Sequence, residues 1–197
     1  MNTPSMEAIP RVVHVTWKTR TLPDWGADCV ATFGRRHADY ELRIWSDEDV
    51  AALVAAADDA ALAATYARLP CGAARADLAR LLILRAHGGV YADLDVQCVR
   101  RLEPLLSAYD GRRAAVVGRE ASHGRVGNAV LLSCRGHALW GEALNELVAR
   151  VARTTTWTSE AVCEITGPGL RRRRPAATRR PSTRRWTAGR PKPTTTR

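Results

Sequence analysis

The chain has 197 residues, 46% of them hydrophobic, and a formal net charge of +10. That length fits a single domain with a real core, the apolar fraction excludes a disordered or fibrous protein, and no run approaches the roughly 18 apolar residues that a membrane-spanning helix needs. The charge is not spread evenly: residues 1–170 hold 19 Lys and Arg against 20 Asp and Glu, whereas residues 171–197 hold ten Arg, one Lys and no acid.

In chain order, Arg11 to Trp17 is a β-branched, half-alternating run that predicts a first strand. Leu22-Pro23-Asp24-Trp25-Gly26 reads as a loop, and Tyr40 to Trp45 as a second strand. Ser46, followed by Asp47, Glu48 and Asp49, marks a helix start, because a hydroxyl cap and acids suit the positive helix end. Ala51 to Arg68 predicts two helices broken near Asp58-Asp59. Ala73 to His87 is rich in strong helix formers and is stopped by Gly88-Gly89. A strand then carries Val90, followed by a short strand over Gln97–Val99 and buried strands over Ala114–Val117 and Ala129–Leu132. Ala138 to Arg153 returns to helical spacing, with Leu139, Ala143, Leu147 and Val151 on one stripe. This alternation predicts an α/β domain over residues 1–170, built on a mostly parallel sheet with helices on its faces.

The most informative segment is Gly88-Gly89-Val90-Tyr91-Ala92-Asp93-Leu94-Asp95. On an extended backbone the side chains of Asp93 and Asp95 point to one side. Two hard oxygen ligands then suit magnesium or manganese, ions that keep water and take further ligands from a substrate phosphate. Upstream, Asp77 and Arg80 are three apart and share a helix face. The glycines turn the chain back, so that face overlooks the two carboxylates. The bland alternative on these residues is an exposed ion pair beside a polar turn.

Arg75-Ala76-Asp77-x-x-Arg80 followed by Gly88-Gly89-x-Tyr91-x-Asp93-x-Asp95 resembles the sugar-nucleotide signature of glycosyltransferase family 32. That family includes fungal outer-chain mannosyltransferases and bacterial surface-glycan enzymes, and the pattern is also similar to the catalytic domain of the large clostridial glucosylating toxins. Ile9 to Thr19 resembles the family's opening strand, with His14-x-x-Trp17, and Asn128 to Ser133 with Gly136-His137 resembles its later Asn-centred strand.

The resemblance implies the Rossmann-like GT-A fold and a metal-dependent transfer of a hexose from a nucleotide-diphosphate sugar, GDP-mannose or a UDP-hexose, to a glycan or other hydroxyl acceptor, with retention of configuration. It implies Mn2+ or Mg2+ held directly by Asp95 and supported by Asp93, which also contacts ribose or sugar. Asp77 and Arg80 would hold sugar hydroxyls, with Arg80 near the diphosphate as well. Tyr91 would line the nucleotide pocket, Trp17 would stack on the base, and Asn128 would donate to sugar or phosphate. Each residue also has a structural alternative: Trp17 and His14 as core, Tyr91 as packing under the helix, Asn128 as a turn residue, His137 as a local contact, Arg112-Arg113 as a solvated pair, and Trp25, Trp45, Trp140 and Trp157 as packing.

Two other functions compete. A haloacid-dehalogenase-like phosphatase also places Asp-x-Asp after a strand and would use Asp93 as nucleophile, although that motif usually lies near the N-terminus. The other is an inactive remnant that binds polyanions or a membrane surface through its tail. Residues 171–197 are almost entirely Arg, Thr, Pro and Ala, with four prolines and no Ile, Val or Leu, a composition that predicts disorder. A genuine basic tail and a reading-frame change in GC-rich coding sequence both account for it. Family members continue there with a polar segment that completes the metal site, and the sequence offers no equivalent. The five cysteines form no C-x-x-C or zinc pattern. With no secretory signal visible, they predict small, free core thiols and a cytoplasmic protein.

Overall fold

β1 (Val12–Thr16) lies between β2 (Glu41–Trp45) and β3 (Gly89–Ala92), parallel to both. The computed structural model describes residues 8–109, 113–119 and 126–168. Arg112, the expected boundary at 170 and the basic segment 171–197 lie outside them. Beyond β3 the sheet continues with β5 (Val126–Ser133) and ends on β4 (Ala115–Arg119), giving the order β2-β1-β3-β5-β4. β5 runs antiparallel to both of its neighbours. The mostly parallel sheet expected from the alternation of elements is therefore a mixed one. The reversal matters for the site. A parallel β5 would carry its first residues to the far end of the sheet, whereas the reversed strand brings Asn128 beside the end of β3.

Strand alternation divides the core between two faces. Val13, Val15, Val90, Ala92 and Leu132 face one way and pack with Val30 and Phe33 of α1 (Asp24–Arg36). Tyr91 and Leu131 face the other way, against α4 (Gly72–His87) and α6 (Ala138–Arg153). The result is a helix–sheet–helix sandwich. α4 is buried on every side, since Ala74, Leu78, Ala79, Leu81, Leu82, Ile83 and Leu84 are all buried. It packs on the sheet, on α6 and on α2 (Asp47–Ala56), and its Arg75 guanidinium lies 5.9 Å from the ring centre of Tyr66 on α3 (Ala60–Arg68). A helix that is apolar all round belongs in the interior, which is why two charged residues on it, Asp77 and Arg80, are forced to find partners inside the protein.

Local signals account for most boundaries. Ser46 caps α2 in a reciprocal capping box with Asp49. Asp58 adopts a positive φ of 48°, and Asp59 caps α3 by accepting from the Leu62 amide. Gly88 and Gly89 have φ of 67° and 91°, and a side chain there would strike the backbone of Ser133–Arg135 and of Val12, respectively. Only glycine fits both the conformation and the space.

Three expectations fail. Leu22–Gly26 is not all loop, because α1 starts at Asp24. Pro23 and Gly26 look like turn residues, but Pro23 is the N-cap, and Gly26, Cys29, Val30 and Phe33 form a buried helical stripe. Gln97–Val99 is not a strand, because the Cys98 amide donates to Thr32 Oγ1 of α1 instead of to a sheet neighbour. The cysteines divide as well. All five are free, and Cys29, Cys98 and Cys134 are buried, but Cys71, at the α4 N-cap, and Cys163, on α7 (Ser159–Ile165), are exposed. Among the described residues, no helix is long and apolar enough to cross a membrane.

Candidate active site

Four elements meet at the carboxyl end of β3. Tyr91 and Asp93 are two apart, so both face α4. There the Arg80 guanidinium stands over the Tyr91 ring, 5.0 Å from its centre. Arg80 Nη2 lies 3.0 Å from Asp93 Oδ1 and 3.1 Å from Asp77 Oδ1, its Nη1 donates to the Asn128 carbonyl at 2.8 Å, and its Nε donates to the Ala76 carbonyl at 3.3 Å. The arginine is 5% exposed. Tyr91 is fully buried and donates its hydroxyl to Asp93 Oδ1 at 3.0 Å, while Thr16 Oγ1, at the end of β1, lies 2.9 Å from the same phenol oxygen. Burial pushes the Tyr91 phenol up, which keeps it protonated and a donor.

Asp77 is tied down on both oxygens. Asn128 Nδ2 donates to Oδ1 at 2.8 Å and Thr166 Oγ1 donates to Oδ2 at 2.8 Å. Burial pushes the Asp77 and Asp93 carboxyls above the ordinary carboxylate value, and Arg80 and the hydrogen bonds pull them only part of the way back. The shared buried cation, with hydrogen bonds to both oxygens of Asp77 and to Oδ1 of Asp93, is what allows the buried Asp77 and the part-buried Asp93 to sit side by side.

The structure therefore gathers Asp77, Arg80, Tyr91, Asp93 and Asn128 into one network and places Asp95 at its rim. Asp95 is exposed, and it has no hydrogen bond or ion pair among the described residues. The extended Asp93–Asp95 geometry does not hold, because the Val96 amide closes a turn onto the Asp93 carbonyl at 3.0 Å. Asn128 is a strand residue, not a turn residue, and one of its two side-chain N–H groups donates to Asp77. Tyr91 is sealed beneath Asp93 and does not border an open pocket. Trp17 is half-buried, packed on the α1 side of the sheet and edge-on to Trp25 at 5.8 Å; Trp25, expected as packing, is 52% exposed.

Two histidines take their structural alternatives. His14 Nδ1 accepts from Trp45 Nε1 at 3.1 Å and its Nε2 donates to the Gly88 carbonyl at 3.0 Å, while burial lowers its pKa to about 4. His137 caps α6 by accepting from the Leu139 amide. Sequence reasoning missed Thr166 and Thr16. Thr166 lies 89 residues from Asp77 with no local signal, whereas Thr16 could have been found as the last residue of the strand beside β3.

Among the described residues, no group of three His, Cys, Asp or Glu is placed to hold a metal. What the site offers is the bare carboxylate of Asp95 and the second oxygen of Asp93. That sparse, hard-oxygen set fits a divalent ion such as Mg2+ or Mn2+, which completes its shell with water and substrate phosphate.

Residues 23–111 match the glycosyltransferase sugar-binding region containing the DXD motif. Asp77, Arg80, Tyr91, Asp93 and Asp95 lie inside the matched stretch, and Trp17 and Asn128 lie outside it. The chain is 36% identical over 130 residues to inositol phosphoceramide mannosyltransferase 3 of Schizosaccharomyces pombe, covering 66% of this chain and 35% of that protein. It is 31% identical over 144 residues to mannosyl phosphorylinositol ceramide synthase SUR1 of Saccharomyces cerevisiae, covering 73% and 36%. The chain thus spans about a third of the length of these relatives. Among solved structures it is similar in fold to PaToxG glycosyltransferase, with a TM-score of 0.65, 17% identity, and coverage of 83% of this chain and 68% of that one.

Proposed function

We propose that this chain is a metal-dependent glycosyltransferase that moves a hexose from a nucleotide-diphosphate sugar to a hydroxyl acceptor, with retention of configuration. The observation that carries the proposal is the division of labour at the end of β3. Arg80 and Tyr91 consume one oxygen of Asp93 from inside, and Asp95 is left bare outside. A carboxylate pair with one member braced and the other free suits a divalent cation that arrives with its substrate. When bound, Mn2+ or Mg2+ would stabilise the negative charge of a diphosphate leaving group. Asp95 and the free oxygen of Asp93 would hold the ion. Arg80 would fix Asp93 in place, and Asp77 and Asn128 would fix Arg80. Trp17 is proposed as the aromatic face for the nucleobase.

The names of the relatives favour a mannosyl donor, hence GDP-mannose over a UDP-hexose, and an acceptor hydroxyl on a glycan or glycolipid. The phosphatase alternative loses ground, because it needs Asp93 as a free nucleophile, and Arg80 and Tyr91 hold its Oδ1. The test is a thermal-shift panel of GDP-mannose, UDP-glucose, GDP and UDP, each with and without Mn2+. Binding to the native state raises Tm by mass action. A Mn2+-dependent rise with GDP-mannose is expected. A shift with a phosphomonoester, together with a trapped Asp93 aspartyl phosphate, would refute the proposal.

A further inference from the structure

The turn that carries Asp95 is held from the side opposite Arg80. Gly26, in the first turn of α1, is buried against Leu94, the residue between Asp93 and Asp95. A methyl group at Gly26 would lie 2.8 Å from both Cγ and Cδ2 of Leu94. Leu94 has little room to retreat, because it packs with Val13, Val15, Phe33 and Cys98. Further along α1, Thr32 Oγ1 accepts the Cys98 amide at 2.7 Å, and Arg36 Nε donates to the Cys98 carbonyl at 3.2 Å. So α1 grips the chain one residue before Asp95 and again three residues after it. Asp95 itself has no hydrogen bond or ion pair among the described residues. Its position is therefore inherited from its neighbours.

We propose that α1 is the positioning element of the Asp95 carboxylate, with Gly26 as the seat of Leu94 and Thr32 as the anchor of the segment that follows. This rests on the proposal that Asp93 and Asp95 hold a divalent ion. Metal ligands work only within narrow tolerances of position, and groups that orient them commonly change metal affinity by about 10–100-fold when removed. Gly26 has no unusual backbone angle, so alanine there suits the helix better than glycine does. The three atoms nearest to an added methyl all belong to Leu94, which makes the substitution a direct probe of the seat.

The experiment is a calorimetric titration of GDP and of UDP, in Mn2+, into the full chain and its variants, well below each variant's Tm. Gly26→Ala is expected to bind the nucleotide that wild type binds about tenfold more weakly, and Thr32→Val several-fold more weakly. Gly26→Ala/Leu94→Ala is expected to recover most of the loss, because the smaller side chain makes room for the new methyl. Val54→Ala, a core truncation in α2 away from the turn, is expected to lower Tm without changing the affinity, which separates positioning from general stability. Wild-type affinity in folded Gly26→Ala or Thr32→Val, alongside a loss in Asp95→Ala, would overturn the positioning role while leaving the metal site standing. Should Gly26→Ala fail to fold, Thr32→Val and the double variant decide the matter by the same criteria. If Asp95→Ala binds as wild type does, the metal site itself is wrong and the positioning role falls with it.

Discussion

Arg80 Nη2 lies 3.0 Å from Asp93 Oδ1, so the first carboxylate of the Asp93–Asp95 pair is bound to the protein interior before any ligand arrives. The same guanidinium reaches Asp77 and the Asn128 carbonyl. One cation thereby joins α4, β3 and β5, and it is a strut of the site as much as a ligand for sugar hydroxyls.

Arg80→Ala should therefore unfold the domain more readily, and not only reduce turnover. Removing one member of a buried charge network typically costs about 3–5 kcal/mol, because the remaining charges are left uncompensated. Arg80→Lys should recover little, since an ammonium cannot reach the same partners with planar geometry. Urea unfolding measures both. Unchanged stability with a loss confined to sugar-donor binding would return Arg80 to a pure substrate contact.

Tyr91→Phe keeps the ring under Arg80 and removes only the hydroxyl between Thr16 and Asp93. The expected loss of stability is about 1.5–3 kcal/mol, the scale for a hydrogen bond to a charged group. Weaker Mn2+-dependent nucleotide binding should accompany it, because Asp93 would lose one of the two groups that hold its Oδ1. Chemical denaturation and calorimetry on the same samples check the pair of effects.

Much of this site was legible in the sequence. The Asp77–Arg80 helix face, the Gly88-Gly89 reversal and the two carboxylates are local patterns, and local spacing fixes them. Three features were not legible. The reversal of β5 is set by its long-range pairing with β3, so nothing near Asn128 announces that its amide meets Asp77. Thr166 reaches Asp77 only through tertiary packing of α7. The turn at Asp93 is closed by one backbone hydrogen bond from Val96, which the alternating residue types do not encode. α1 was missed for another reason. Pro23 and Gly26 carry turn signals, but the glycine is there because Leu94 leaves no room for a side chain.

Acid should destabilise the fold through His14. Burial lowers its pKa from 6.5 to about 4, so between those values the unfolded chain binds a proton that the folded chain refuses. Stability is complete above pH 6.5 and falls as the pH drops towards 4, by up to about 3 kcal/mol. Asp77 and Asp93, with raised values, act in the opposite sense above pH 3.8. The difference in pH dependence between wild type and His14→Gln isolates the histidine. An NMR titration of His14 in the folded protein with a midpoint near 6.5 would contradict its buried, neutral state.

Trp17→Ala should weaken nucleotide binding by roughly 1–3 kcal/mol if the indole stacks on the base, and Trp17→Phe should regain part of that. The half-buried ring also packs on the α1 side of the sheet, so stability must be measured in parallel. Full binding with a lower Tm in both variants would make Trp17 a packing residue.

The Asp93–Asp95 turn is proposed to bind a divalent ion together with a nucleoside diphosphate. Calorimetric titration of GDP and UDP, with and without Mn2+, into wild type and Asp95→Asn tests it most directly. The amide keeps the shape of the carboxylate but not its charge, which a hard divalent ion requires. Wild type is expected to bind one of the nucleotides only with Mn2+, and Asp95→Asn to lose at least about tenfold in affinity. Nucleotide binding that is indifferent both to Mn2+ and to Asp95 would contradict the claim.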